Sequence, residues 1–190
     1  MSSSLAPSFL LSMPQHLDPN FKRTVVLLCQ HDDDGAFGLV VNRRLETTGP
    51  VTVNLDPPVT TDRELQLWVG GPVEPQSSWI LVARSKGDED DADSRAYGGT
   101  QITDSLYLSR SPHLLRRLLE PNPPPDARLI VGYSGWGPGQ LEMELEASSW
   151  LVSDVDRDLI FNTPPERMWE TAIRRLGADP ATLSMSRGVH

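Results

Sequence analysis

The chain reads as an α/β (α+β) protein: a compact single domain with a mixed, mainly antiparallel β-rich core flanked by helices. Three observations predict this. Short apolar, β-branched runs recur between Gly, Pro and Asp turns, as at residues 24–30 and 36–42. Clear helix starts are few, at Ser111-Pro112 and Thr163-Pro164. The strands follow one another as hairpins instead of alternating with helices, which disfavours a regular β-α-β repeat. With 190 residues and five Trp, one substantial core can be buried.

Residues 1–8 read as a flexible N-terminal tail, 9–185 as the domain and 186–190 as a C-terminal tail. A first strand at residues 9–13 stops at Pro14, and a polar, turn-rich connection follows to Phe21. Residues 24–30 form a buried strand; His31-Asp32-Asp33-Asp34-Gly35 turns the chain back into a partner strand at 36–42. A looser stretch with Pro50, Pro57 and Pro58 holds a short strand near Val51. Strands follow at 65–69, before Gly70-Gly71-Pro72, and at 79–83. The acidic run 87–93 reads as solvated, and residues 100–103 and Tyr107 are weaker strand candidates.

Ser111 caps a helix over 112–120, with Pro112 at its first position and Leu114, Leu115, Leu118 and Leu119 on one side. The proline run from Pro121 to Pro125 ends it, and a strand at 127–133 follows. Leu141 and Leu145 share one side of a short helix at 139–147. Residues 159–161 read as a short strand. Thr163, Pro164 and Glu166 spell a capping box, opening a helix that runs to Leu176 and exits at Gly177.

The formal charge of -9 favours solubility and works against nonspecific attraction to polyanions. Cys29 is the only cysteine, so an intrachain disulfide is excluded, and its place in an apolar run predicts a buried thiol. No basic region precedes a long apolar stretch at the N-terminus, and no segment is long and apolar enough to cross a bilayer. The chain is therefore expected in the cytoplasm. His16, His31, His113 and His190 show no metal-ligand spacing, so neither a metal nor another cofactor is expected.

No nucleotide, dinucleotide or metalloprotease signature occurs. Gly132-Tyr133-Ser134-Gly135-Trp136 has the wrong glycine spacing for a nucleophile elbow. The most distinctive segment is Gly135-Trp136-Gly137-Pro138-Gly139-Gln140-Leu141. It is either a packed turn closed by the indole or a loop whose free amides receive a ligand or partner. Gly70-Gly71-Pro72 offers the same two readings. Asn42 is suited to tying down a loop, and Arg23 to pairing with Asp18. Four basic pairs, Lys22-Arg23, Arg43-Arg44, Arg116-Arg117 and Arg174-Arg175, form a phosphate or nucleic-acid face if folding gathers them.

These segments carry a family resemblance. Phe9-Leu10-Leu11-Ser12-Met13-Pro14, Leu17-Asp18-Pro19, Phe21, Arg23 and the run from Thr24 to Cys29 resemble the opening of AlgH/YqgE-like bacterial proteins. The likeness continues through Asp34-Gly35-Ala36, Gly38-Leu39-Val40-Val41-Asn42-Arg43, Gly70-Gly71-Pro72-Val73 and the stretch from Gly132 to Glu142. Trp150, Phe161, Thr163-Pro164, Glu166, Trp169 and Leu176-Gly177 complete it. The resemblance implies a compact α/β domain and a regulatory role tied to alginate production. It implies no defined substrate or catalytic set. Arg44, where a proline commonly stands, the acidic stretch 88–93 and the chain's last five residues depart from the pattern.

Together these readings predict a non-enzymatic regulatory or interaction protein, a transcriptional regulator by family resemblance, with no catalytic residues. Its candidate surface joins Asn42, Gly70, Gly71, Trp136, Gly137 and Gln140. Trp136 supplies contact area, Gln140 hydrogen bonds, and the glycines backbone access. The expected partner is an unknown protein or small molecule, with no membrane involved and oligomeric state open. The alternatives are a small-ligand-binding protein or enzyme of unknown substrate using the glycine-rich loops, and direct DNA binding through the basic pairs.

Overall fold

The computed structural model describes residues 3–14, 16, 18–46, 51–53, 59–61, 65–84, 99–121 and 126–185. The acidic run 87–93, the prolines at 50, 57, 58 and 123–125 and the C-terminal tail lie outside the described residues. The strands are β1 (Ser8–Ser12), β2 (Val25–Asp32), β3 (Gly35–Val40), β4 (Arg44–Leu45), β5 (Val51–Val53), β6 (Val59–Thr61), β7 (Leu67–Val69), β8 (Val73–Ala83), β9 (Thr100–Thr103), β10 (Leu106–Ser109), β11 (Ala127–Trp136) and β12 (Trp150–Ser153). The helices are α1 (Pro112–Leu119), α2 (Gln140–Glu146), α3 (Arg157–Asn162), α4 (Pro165–Arg175) and α5 (Pro180–Met185), with a 3-10 turn at Pro19–Phe21.

Ten strands form one sheet in the order β12-β1-β2-β3-β11-β8-β10-β9, with β7 joined to β11 and β4 to β7; β5 and β6 pair separately. Every pairing is antiparallel except β7 with β11. The long β11 joins the two halves. Its first residues lie between β8 and β7, and its last three, Ser134, Gly135 and Trp136, pair with β3.

Strand alternation sorts the apolar side chains into separate cores. Phe9, Leu11, Val25, Leu27, Leu39 and Ile130 share a core with Leu159 and Ile160 of α3 and Met168, Trp169 and Ile173 of α4. On the other face Leu10, Val26, Leu28 and Val40 meet Trp136, Trp150 and Leu141 of α2. The leucines of α1 cover Leu67, Ile80 and Leu129. Leu5 and Ala6, ahead of β1, pack against the α2 core.

Several local expectations change. Residues 159–161 lie within α3 and are not a strand: the Asp156 side chain accepts from the Asp158 N–H and caps a helix there. Three apolar residues fit either element, and the cap decides. Thr163 ends α3, so α4 opens one residue later, with Pro164 as its cap and no side-chain cap bond. The strand from Ala127 continues three residues past Tyr133, because β3 supplies a partner for Ser134, Gly135 and Trp136. Arg23 pairs with Glu170 at 2.6 Å instead of Asp18, whose carboxylate accepts from the Asn20 N–H. Among the described residues no helix is long and apolar enough to cross a membrane.

Candidate functional site

The α2–β12 side of the molecule is organised around one carboxylate. Glu144 Oε2 accepts from the Trp136 indole at 2.9 Å and from the Trp150 indole at 2.7 Å. Its Oε1 accepts from Gln140 Nε2 at 3.1 Å, and Gln140 Oε1 accepts from the Gly137 N–H at 3.1 Å. Two indoles from different strands thus hold one helix. A buried indole N–H requires an acceptor, and a charged acceptor makes the stronger bond. Phe21 lies 5.4 Å from the Trp150 ring, and His16 is edge-on to Trp150 at 4.7 Å. The buried His16 Nε2 stands 4.0 Å from Glu144 Oε2, without a hydrogen-bond partner among the described residues.

A second contact ties α2 to the β2–β3 hairpin. The Leu5 N–H donates to His31 Nδ1 at 3.1 Å, so the neutral ring carries its proton on Nε2, 2.6 Å from Glu142 Oε1. The hydrogen bond to His31 is the main reason the Glu142 carboxyl is held below its ordinary range; a backbone hydrogen bond adds to the effect.

α2 and β12 each also expose one large apolar side chain. Met143 of α2 is 66% exposed and Val152 of β12 is 40% exposed. Among the described residues β12 is the last strand at its end of the ten-stranded sheet and pairs only with β1. The Met13 N–H donates to Ser149 O at 2.8 Å, which sets the alternation along the ladder. The backbone N–H and C=O groups of Trp150 and Val152 consequently point away from β1. An open edge and an exposed valine coincide at Val152.

The six residues expected to form one surface divide. Trp136, Gly137 and Gln140 come together in the Glu144 network, but Trp136 is 5% exposed and supports the surface from beneath. Gly137 and Gln140 are exposed at the start of α2. Gly70 and Gly71 are buried against β11. A Cβ on Gly70 would stand 2.4 Å from Gly132 O, and one on Gly71, with φ +153, would stand 2.2 Å from Tyr133 O. Their role is close backbone approach, which only glycine permits here. Gly70 O accepts from the Val40 N–H and from the Ser134 hydroxyl, so the Ser134 oxygen is engaged within the fold. Asn42 ties a loop: it accepts from the Val25 N–H and donates to Arg23 O. Burial pushes the Cys29 thiol up to about 12.

Glu142, Glu144, His31 and Val152 were missed by sequence reasoning. Gln140 and Glu144 stand four residues apart, and that spacing was the available signal for the pair. The His31–Glu142 contact spans 111 residues and has no local signature.

Folding also gathers basic pairs. The Arg43 guanidinium donates to the backbone oxygens of Asn20 and Lys22, joining Lys22-Arg23 to Arg43-Arg44. Glu170 links Arg23, at 2.6 Å, to Arg174, at 3.9 Å.

A family model described as AlgH-like matches residues 9–181. The chain belongs to the AlgH-like family. A UPF0301 protein of Myxococcus xanthus (strain DK1622) is 39% identical over 189 residues, covering 98% of this chain and 99% of its own. A relative from Stenotrophomonas maltophilia (strain K279a) is 39% identical over 183 residues, covering 93% of this chain and 92% of its own. The solution structure of the AlgH protein from Pseudomonas aeruginosa is similar with a TM-score of 0.71 and 29% identity, covering 100% of this chain and 97% of that one. A crystal structure of a Corynebacterium diphtheriae protein shares the fold with a TM-score of 0.67 at 23% identity, over 97% of this chain and 92% of that one. In this AlgH-like chain the glycine pair closes the sheet, while the stretch from Gly132 to Glu142 carries β11 into the helix that faces solvent.

Proposed function

We propose that this AlgH-like chain is a non-enzymatic interaction protein whose partner adds an extended segment to the β12 edge beside α2. The observation that carries this reading is Val152, where a 40% exposed apolar side chain accompanies outward-turned backbone groups on a terminal strand. Strand addition uses those groups for affinity and alternate side chains for specificity. Met143 adds a second exposed apolar side chain on α2, whose start carries the exposed Gly137 and Gln140.

Charge narrows the partner. Glu146 of α2 and Asp154, which follows β12, are acidic, and neither α2 nor β12 contains a basic residue. The complementary occupant is an extended segment alternating apolar and basic residues. Two copies meeting edge to edge would bring like charges together, so a second copy is the less suited occupant. A regulatory role in the cytoplasm, of the kind the family resemblance implies, would run through such a protein partner.

The test is an NMR titration of the full chain with a synthetic peptide of alternating Val and Lys. Shift changes concentrated at residues 140–153 support the proposal, as does their loss in Val152→Pro, which removes an outward N–H that the β1 ladder does not use. Changes spread over the surface, or unaltered binding by Val152→Pro and Val152→Glu, would overturn it. Dimer formation without peptide binding would assign the edge to a second copy instead.

A further inference from the structure

The β4–β7–β11 branch of the sheet holds two guanidinium groups against one indole. Arg44 and Trp68 are cross-strand partners in β4 and β7, and Ile130 of β11 is the parallel partner of Trp68. Arg128, two residues before Ile130, therefore shares its face of the strand. The Arg128 carbon Cζ lies 3.9 Å from the Trp68 ring centroid and 5.2 Å from that of Phe161; the Arg44 Cζ lies 5.7 Å from the same Trp68 centroid. Arg128 Nη1 donates to Val41 O at 3.0 Å, which holds the group in place.

Two like charges at one indole repel each other. Burial brings the Arg128 value down to about 10, and the Arg44 charge acts in the same direction; Asp126 works against both. Arg43, the neighbour of Arg44, donates to the backbone oxygens of Asn20 and Lys22. The chain carries a net charge of -9, so a concentration of cations here runs against its overall balance.

We infer that Arg44 and Arg128, assembled on Trp68, form a binding site for a small phosphate-bearing molecule. Guanidinium forks match phosphate oxygens, and pyrophosphate carries oxygens enough to meet two of them. Such a ligand relieves the repulsion, and the stacked Arg128 loses little side-chain freedom on binding. Arg44 is the exposed member of the pair and Arg128 the anchored one. This site is independent of the β12 edge.

The experiment is calorimetric titration of the full chain with inorganic pyrophosphate at low salt. The variants are Arg44→Gln, Arg128→Lys and, as a control on α1, Arg117→Gln. Saturable binding is expected, weakened about tenfold or more in Arg44→Gln, the scale of one charge-assisted hydrogen bond. Arg117→Gln should match the parent chain. Arg128→Lys keeps the charge but loses the fork, and should also weaken binding; a melting curve reports whether it folds. Arg44 is exposed, so its variant decides the matter if Arg128→Lys does not fold. No binding to the parent chain, or equal losses in Arg44→Gln and Arg117→Gln, would overturn the inference. Binding to duplex DNA without pyrophosphate binding would overturn it too, by assigning the cations to an extended phosphate backbone.

Discussion

Glu144 holds two indole N–H groups and a glutamine amide with two oxygens, and its replacement has a calculable consequence. Glu144→Ala leaves the Trp136 and Trp150 donors without their acceptor. Burying an orphaned donor costs roughly 1–3 kcal/mol, so the variant should lose about 2–4 kcal/mol in a urea unfolding series. Glu144→Gln keeps one acceptor oxygen and should lose less. Trp136→Ala empties a core position and should cost ~3–5 kcal/mol. That outcome, visible as a lowered urea midpoint, separates Trp136 from the exposed residues around it. Gly71→Ala would force a Cβ to 2.2 Å from Tyr133 O, and folding should fail or melt far earlier. Asn42 was legible as a loop tie because an amide beside a strand end has obvious backbone partners. Trp136 was misread as a contact surface because a glycine-flanked indole looks exposed until a strand partner and Glu144 are found for it.

At the scale of elements, α2 depends on pH through its contact with the β2–β3 hairpin. The Glu142 carboxyl is held below its ordinary value by the His31 hydrogen bond and then by a backbone hydrogen bond. A depressed folded value means stability that is complete above the unfolded carboxylate value of about 4.3 and lost as pH falls through the folded one. The Leu5 amide and Glu142 side-chain signals in an NMR acid titration should therefore move below that value, and Glu142→Gln should abolish the transition. The paired strands β2 and β3 were legible because a β-branched run, an Asp-Gly turn and a second apolar run are local signals. Helix α1 was legible for the same reason: Ser111, Pro112 and four leucines share one turn pattern. β12 was not. Its four residues, Trp150–Ser153, acquire strand geometry from β1, whose paired residues lie 138 or more positions earlier. β4 and α5 are likewise short elements set by tertiary neighbours.

Among the described residues the charges separate. The α2–β12 edge carries acidic and apolar side chains, whereas the β4–β7–β11 branch brings Arg44 and Arg128 together on Trp68. Composition alone reports only the sum of -9, which hides both. Of the proposed surface, Gly137 and Gln140 stood in a motif visible in the sequence, whereas the open edge could not be seen until β12 was placed at the end of the sheet. An acidic edge predicts that binding of the Val-Lys peptide weakens as salt rises, and that a Val-Glu peptide does not bind.

The most direct measurement is amide hydrogen exchange at β12 in the free and peptide-saturated chain. In the free chain Trp150 and Val152 should exchange faster than Leu151 and Ser153, whose positions alternate toward β1. Peptide should slow Trp150 and Val152 selectively, as new strand hydrogen bonds form. If Val152 is already protected in the free chain, or exchanges unchanged when the peptide is bound, the edge does not receive a partner strand.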